Sequence, residues 1–457
     1  MDKKSSPSGT HSMANQSVNR MFWRYTIPAI VGMLVNGLYS TIDGIFIGQV
    51  VGTEGLAAIN LIWPIYGLVV GAGLMIGMGS SALSSIARGE GATEKARIIM
   101  GSGIVLVFLT GLLFAVLVLP FTETLIVLMG ASEAVLTMAQ NYLFYVIAFA
   151  VLSIGGAAAP MLVRNDERPQ LATIIMSVGA ILNIVLDYLF IVVWEQGVSG
   201  AAIATVIAQA VTMIWGFGYF FSNKANLQLS LKDLRFNLRL FKGILTTGLP
   251  SFIMFAYMSF VLAVHNSLFL IYGSVTTLAA FTIVGYVQAM YYMTAEGIAN
   301  GIQPIVSYSH GAGNNRNIHA TLWLGMKVAL GIGLATVAFI NLFPETIAYV
   351  FNSDDPQLLK ETTLGLHLHL MTMFLDGFIV VAAAYFQSVA KTKAATIITM
   401  GNILIQAPLL ITLPPLFGVT GVWLALPISN IFLAAATLWI LLKDLKSRPA
   451  QKEPDQA

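Results

Sequence analysis

The sequence predicts an all-α polytopic membrane protein: twelve transmembrane helices in two six-helix lobes, related by a pseudo-twofold axis along the membrane normal. Three observations carry that reading. Hydrophobic residues make up 57% of the 457 and charged residues only 10%, against about 25% charged in soluble domains. Several charge-free runs exceed the roughly 18 residues that mark a spanning helix. The second half also repeats the first at the displacement that separates Gly79 from Gly301.

Glycine, proline and charge clusters punctuate the spans. The first, 22–49, follows Arg20 and contains a single carboxylate, Asp43. The second, 55–87, lies between Glu54 and Arg88, and the third, 96–120, follows Lys95. The fourth, 134–162, lies between Glu133 and Arg164; the fifth, 169–194, opens on Pro169. The sixth, 199–223, ends at Lys224. The charge-free stretch Gly243–Ala295 is too long for one helix and divides into 244–272 and 276–309. The ninth span, 317–343, follows Arg316, and the tenth is 358–389. The stretch Ala394–Leu442 divides again, into 393–415 and 420–443.

With twelve spans, both termini and every second loop share one side, and only Lys360 of the 23 Lys and Arg residues falls on the other. The positive-inside rule makes the basic side cytoplasmic. The domain reading is then a cytoplasmic tail 1–21, a lobe 22–223, a cytoplasmic linker 224–243, a lobe 244–443 and a tail 444–457. The polar start, "MDKKSSPSGTHSMANQS", reads as a disordered tail without a signal peptide. The linker's charges are expected to sit at the lipid headgroups.

The repeat is carried by "SSIARGEG" at Ser84 against "VSYSHGAG" at Val306, and "ATII" at Ala172 against Ala395. "GVSG" at Gly197 answers "GVTG" at Gly418, and Ile27-Pro28 answers Leu249-Pro250. Two lobes of like orientation with a cavity between them are the architecture of a transporter.

An Asp near the middle of a span costs about 3 kcal/mol on insertion scales, so the few present point to function. Asp43, Asp187 and Thr205 all lie roughly 7–11 Å below the outer surface, counting along their spans. Asn183 shares a helix face with Asp187. Two carboxylates, a carboxamide and a hydroxyl suit a hard cation such as Na+; alternatively, two close carboxylates share a proton. Glu296 and Asp376 lie deeper and are expected to form a second acidic pair in the other lobe. No Lys or Arg lies mid-span, so the expected cavity holds carboxylates without cations and favours cationic cargo. Methionines and aromatics would give that cavity an adaptable wall.

Other signals carry less. The glycines of "GAGLMIG" (Gly71–Gly77) follow no strand and suit close helix packing. His367 and His369 point to different helix faces, and His265 reads as a hydrogen-bonded interior residue. Cysteine is absent, which excludes disulfides and thiolate metal sites. No Walker, HExxH or GxSxG motif appears, so neither an enzyme nor an ATP-driven pump is expected. The net charge of +2 gives no sign of nucleic-acid binding.

Pro28 with "YSTIDGIFIG", the paired "SSIARGEG" and "VSYSHGAG", and "NIVLDYL" followed by "GVSGAAIAT" together resemble the MATE family. These are the multidrug and toxic compound extrusion transporters, and the likeness covers essentially the whole chain. "GIQPIVSYSHGAG" is similar to the branch holding the DinF and MepA types. The resemblance implies export of organic cations and drugs across the inner membrane in exchange for H+ or Na+, without a cofactor, by a multi-pass protein working as a monomer. It implies a coupling-cation site at Asp43, Asn183, Asp187 and Thr205, with Pro28 and Tyr39 supporting helix bending and the acidic network. Asp376 matches an acid of the second lobe, and Glu296 matches more loosely. The rival reading is a flippase for lipid-linked sugars, whose diphosphate cargo calls for cationic side chains in the cavity.

Overall fold

The computed structural model describes residues 16–351 and 355–448. The tail segments 1–15 and 449–457 lie outside the described residues, so the reading of the N-terminus as disordered finds no test there.

Helices account for nearly all of the described chain, and no strand occurs among those residues. In the first half they are α1 (Val18–Val50), α2 (Thr53–Gly89), α3 (Thr93–Val118), α4 (Thr122–Leu128), α5 (Glu133–Ala148), α6 (Ala150–Asn165), α7 (Pro169–Asp187) and α8 (Gly197–Phe220). In the second they are α9 (Leu238–Tyr272), α10 (Val275–Gly311), α11 (Asn315–Leu342), α12 (Pro344–Phe351), α13 (Pro356–His369), α14 (Met373–Ser388), α15 (Thr392–Phe417) and α16 (Val419–Lys446). Two of the twelve spans are broken. The pair α5 and α6 bends by 62°, and the pair α13 and α14 by 46°. Eleven spans are clearly apolar. The twelfth, α10, is diluted by Gln288, Thr294, Glu296, Asn300 and Gln303, and its second half is almost wholly buried.

The lobes meet in a way that repeats the sequence duplication. The most extensive packings between them are α1 on α10 and α2 on α9, which a twofold axis would exchange. On the axis itself α2 crosses α10 backbone to backbone. A Cβ on Gly89 would lie 2.1 Å from the Tyr308 carbonyl oxygen and 2.9 Å from Gly311 Cα. A Cβ on Gly311 would lie 2.0 Å from the Ile86 carbonyl oxygen and 3.0 Å from Gly89 Cα. Only glycine permits that approach at either position.

Around this crossing a buried polar chain joins the lobes. Ser85 Oγ donates to Asn165 Oδ1 (2.5 Å), Asn165 Nδ2 to Gln303 Oε1 (2.7 Å), and Gln303 Nε2 to Ser307 Oγ (3.1 Å). Ser307 Oγ in turn donates to the Ser388 carbonyl (2.9 Å). The linker is held to the first lobe by Asp166, whose carboxylate accepts from Tyr219 Oη (2.7 Å) and from the amides of Asn226 (2.7 Å) and Leu227 (2.8 Å). Burial pushes this carboxyl above the usual range, and those donors oppose the shift.

Candidate functional site

Away from the seam the lobes part around a cavity of about 360 Å³, lined from both sides. The end of the bundle that carries Arg88, Lys95, Arg168 and Lys391 is closed by the glycine crossing and the Asn165–Gln303 bond. The first-lobe wall is built by α1, α2, α5, α6, α7 and α8, and the second-lobe wall by α9, α10, α14 and α15.

The structure brings residues of α1, α7 and α8 together in the first lobe. Asp43, on the C-terminal half of α1, faces the cavity together with Tyr39, Asn183 and Thr205. Asn183 Nδ2 lies 3.4 Å from Thr205 Oγ1, bringing α7 and α8 together. Asp187 is fully buried behind them and feels the charge of Asp43. It is the last α-helical residue before a π-helical turn, Tyr188–Val193, a distortion that often marks functional positions. Both Asp187 carboxylate oxygens, Asp43 Oδ1 and Asn183 Oδ1 are buried without a hydrogen-bond partner. Buried polar groups are ordinarily paired, so this set of bare oxygens is suited to a proton or a small hard cation. Pro28 sits inside α1, and its carbonyl accepts from Thr173 Oγ1 of α7 at 2.6 Å.

The second-lobe acids occupy different positions. Glu296 lines the cavity, whereas Asp376 is not on its wall. Asp376 lies in the first turn of α14, just past the break in its span, where the helix N-terminus favours a carboxylate. It faces Asn430, and both it and Glu296 lie within electrostatic reach of Tyr292.

A correction concerns charge. Arg164 lines the cavity and is only 3% exposed, so the cavity is not free of cations. In sequence it stands at the end of a span, the usual place for a side chain that reaches the headgroups. Here it lies on the cavity wall instead. Long methionines and aromatics (Met33, Trp63, Tyr66, Met176, Phe255, Tyr292) form much of the remaining wall. His265 is buried, with Nδ1 2.9 Å from the Val261 carbonyl oxygen.

Comparison with known proteins adds to this geometry. The MatE family model matches residues 28–189 and 250–412. The chain is 24% identical over 429 residues to the multidrug export protein MepA of Staphylococcus aureus strain MSSA476, covering 93% of this chain and 94% of the relative. It is 24% identical over 439 residues to MepA of Staphylococcus haemolyticus strain JCSC1435, covering 93% of each. Among solved structures it superposes with a TM-score of 0.89 and 25% identity on the outward-facing conformation of a multidrug resistance MATE family transporter of the MOP superfamily. That match covers 97% of this chain and all of the other.

Proposed function

Because the chain belongs to the MatE family, we propose that it is a secondary active multidrug exporter, moving organic cations outward in exchange for H+ or Na+ by alternating access. The observation that carries the exchange is the cluster of bare buried oxygens on Asp43, Asn183 and Asp187 beside Thr205. A proton or Na+ arriving through the cavity supplies the partner those oxygens lack. Once it is bound, the cluster loses negative charge and the cavity loses attraction for a cationic drug. Ion and drug then bias one two-state equilibrium in opposite directions, with a coupling free energy of about 1–3 kcal/mol.

On this reading the basic end of the bundle is cytoplasmic, the membrane is the inner one, and both termini face the cytoplasm. The glycine seam closes the cytoplasmic side, which makes the arrangement outward-open. A monomer contains the whole path, and no cofactor is required. One arginine against Asp43 and Glu296 in the same cavity does not suit a diphosphate, which argues against a lipid-linked sugar flippase.

The test is efflux of ethidium from proteoliposomes under a proton gradient alone and under a sodium gradient alone. One gradient should drive export, and Asp43→Asn should abolish it while the protein still inserts at normal levels. Unimpaired gradient-driven export by that variant would refute the exchange mechanism.

A further inference from the structure

Resting on that reading of the cavity, we propose that Arg164 is a subsite for an acidic group, so that the cavity takes zwitterionic cargo: planar aromatic molecules with both an amine and a carboxylate. A buried arginine ordinarily comes with a carboxylate or with carbonyls to cap. Arg164 has neither among the described residues. Its Nε is buried without a partner, and its one contact in hydrogen-bond range is Nη2 to Met176 Sδ at 3.9 Å. The groups that would serve it are already taken. Arg88 donates to the Asn165 carbonyl (2.9 Å) at the end of the same helix, and its Nη2 holds Glu167 at 2.6 Å. Asp166 is bound by Tyr219 and the linker amides.

The repeat sharpens the contrast. Arg164 aligns with Gln387 by the displacement that relates Ala172 to Ala395. Gln387 also lines the cavity, yet it is satisfied: Nε2 donates to the Thr247 carbonyl (2.9 Å) and to Ser251 Oγ (3.0 Å). The second lobe thus shows what a settled side chain at this position looks like, and the first lobe places an unsettled guanidinium there.

Depth places an opposite charge within reach of the same cargo. The Met176 sulfur beside Arg164 would lie 3.1 Å from a Cβ on Gly32, so Arg164 stands near the level of Gly32. On α10, Gly297 abuts Ile30 and Met293 abuts Gly37, which puts Glu296 at nearly the same level on the opposite wall. Asp43 is eleven residues beyond Gly32 on α1, about 16 Å nearer the outside. A flat molecule lying on the floor meets a guanidinium from one lobe and a carboxylate from the other, with no ion pair between those two side chains to displace. A purely anionic cargo would still be repelled by Asp43 and Glu296.

Rhodamine 110 and its methyl ester, rhodamine 123, differ only in whether the carboxylate is free, so they isolate the subsite. Binding of each would be read by fluorescence anisotropy on full-length protein in detergent. Arg164→Gln installs the side chain that the other lobe carries at this level. It should weaken rhodamine 110 binding by about 10-fold or more, the loss expected for a charge-assisted hydrogen bond, and change rhodamine 123 binding by less than about twofold. Arg164→Lys, which keeps the charge without the fork, should recover part of the loss. Unchanged rhodamine 110 binding in Arg164→Gln, or equal losses for both dyes in Arg164→Gln and Arg164→Lys, would overturn the assignment and leave Arg164 a packing residue. Failure of the unmodified protein to bind rhodamine 123 would instead sink the organic-cation reading on which the subsite rests.

Discussion

At the position the repeat equates with Asp43 the second lobe carries His265, and where the first lobe has Asn183, Asp187 and Thr205 it has Gln406, Leu410 and Leu426. The surroundings change accordingly. His265 stacks on Phe281 at 5.3 Å and meets His369 at 5.6 Å, while Phe269 lies 4.3 Å from Trp423. Both imidazoles reach carbonyl oxygens through Nδ1, at 2.9 Å to Val261 and 3.1 Å to Trp423. One lobe therefore holds a polar hollow with bare carboxylate oxygens, and its twin fills the same place with aromatic rings. Duplication has preserved the helix packing and let the chemistry diverge: on the proposed function, the first lobe would exchange a bound ion and the second would stay rigid around the cargo.

The comparison breaks most easily at its centre. Asp43→Asn should lower gradient-driven efflux by roughly 100-fold, near the upper end of common coupling energies, whereas His265→Asn should leave coupling intact. Asp187→Asn should behave as Asp43→Asn does, and the double variant should be little worse than either, since both disable one unit. A coupling loss in His265→Asn measured in the same proteoliposomes would contradict the division of roles.

Rigidity is the next target. Trp423 is fully buried in the aromatic cluster, so Trp423→Ala should cost about 3–5 kcal/mol of stability, read by thermal unfolding in detergent. Thr205→Ala in the polar hollow should cost far less.

Asn165 and Ser388 also correspond in the repeat. Asn165 bridges the lobes, while Ser388 Oγ donates only to Ala384 of its own helix, at 2.6 Å. Asn165→Ala strands buried Gln303 at about 1–3 kcal/mol and should shift the conformational equilibrium about 10-fold away from seam closure. Ser388→Ala should hardly move it. Electron–electron resonance distances between spin labels at Glu94 and Lys393, exposed at the basic end of each lobe, would report both.

Smaller effects separate the remaining pairs. Asp376→Asn removes a charge from a helix N-terminus, costing about 0.3–1 kcal/mol, and should leave ion coupling unchanged under either gradient. His310 corresponds to Arg88, and burial followed by the nearby Arg448 and Lys391 holds its imidazole below the usual range. The folded protein therefore takes up this proton less readily than the unfolded chain. Its contribution to stability is complete above about pH 6.5 and declines as the pH falls through the lowered value. His310→Asn should flatten that part of a stability–pH profile.

How much was legible follows from where each signal sits. Long apolar runs and repeated motifs gave the twelve spans and the two lobes, because membrane insertion and duplication both write themselves along the chain. Counting rise per residue gives Asp43, Asp187 and Thr205 a common expected depth, and the structure sets Asp43, Asn183 and Thr205 on one cavity wall. For Asp376 nothing in the sequence warns of the break in its span, because no glycine or proline marks it between His369 and Met373. Arg164 was missed for a related reason. The sequence shows it only as one of the basic residues at span ends, and its place on the cavity wall depends on how the lobes come together.

The crossing of Gly89 and Gly311 has a consequence for how the transporter responds to its surroundings. The ionic contacts that flank this seam, Arg88 with Glu167 and Asp444 with Lys391 and Arg448, each remain inside one lobe. Across the seam itself the described contacts are main chain against main chain and amide to amide, which dissolved salt screens little. The cavity is different, since on the proposed function its grip on cargo would be Coulombic, through Asp43, Glu296 and Arg164 on its wall. Raising ionic strength from 0.01 M to 1 M shortens the Debye length from about 30 Å to about 3 Å. Over that range cargo affinity should fall while the balance between seam-closed and seam-open molecules stays nearly fixed, so salt tunes the load without touching the gate.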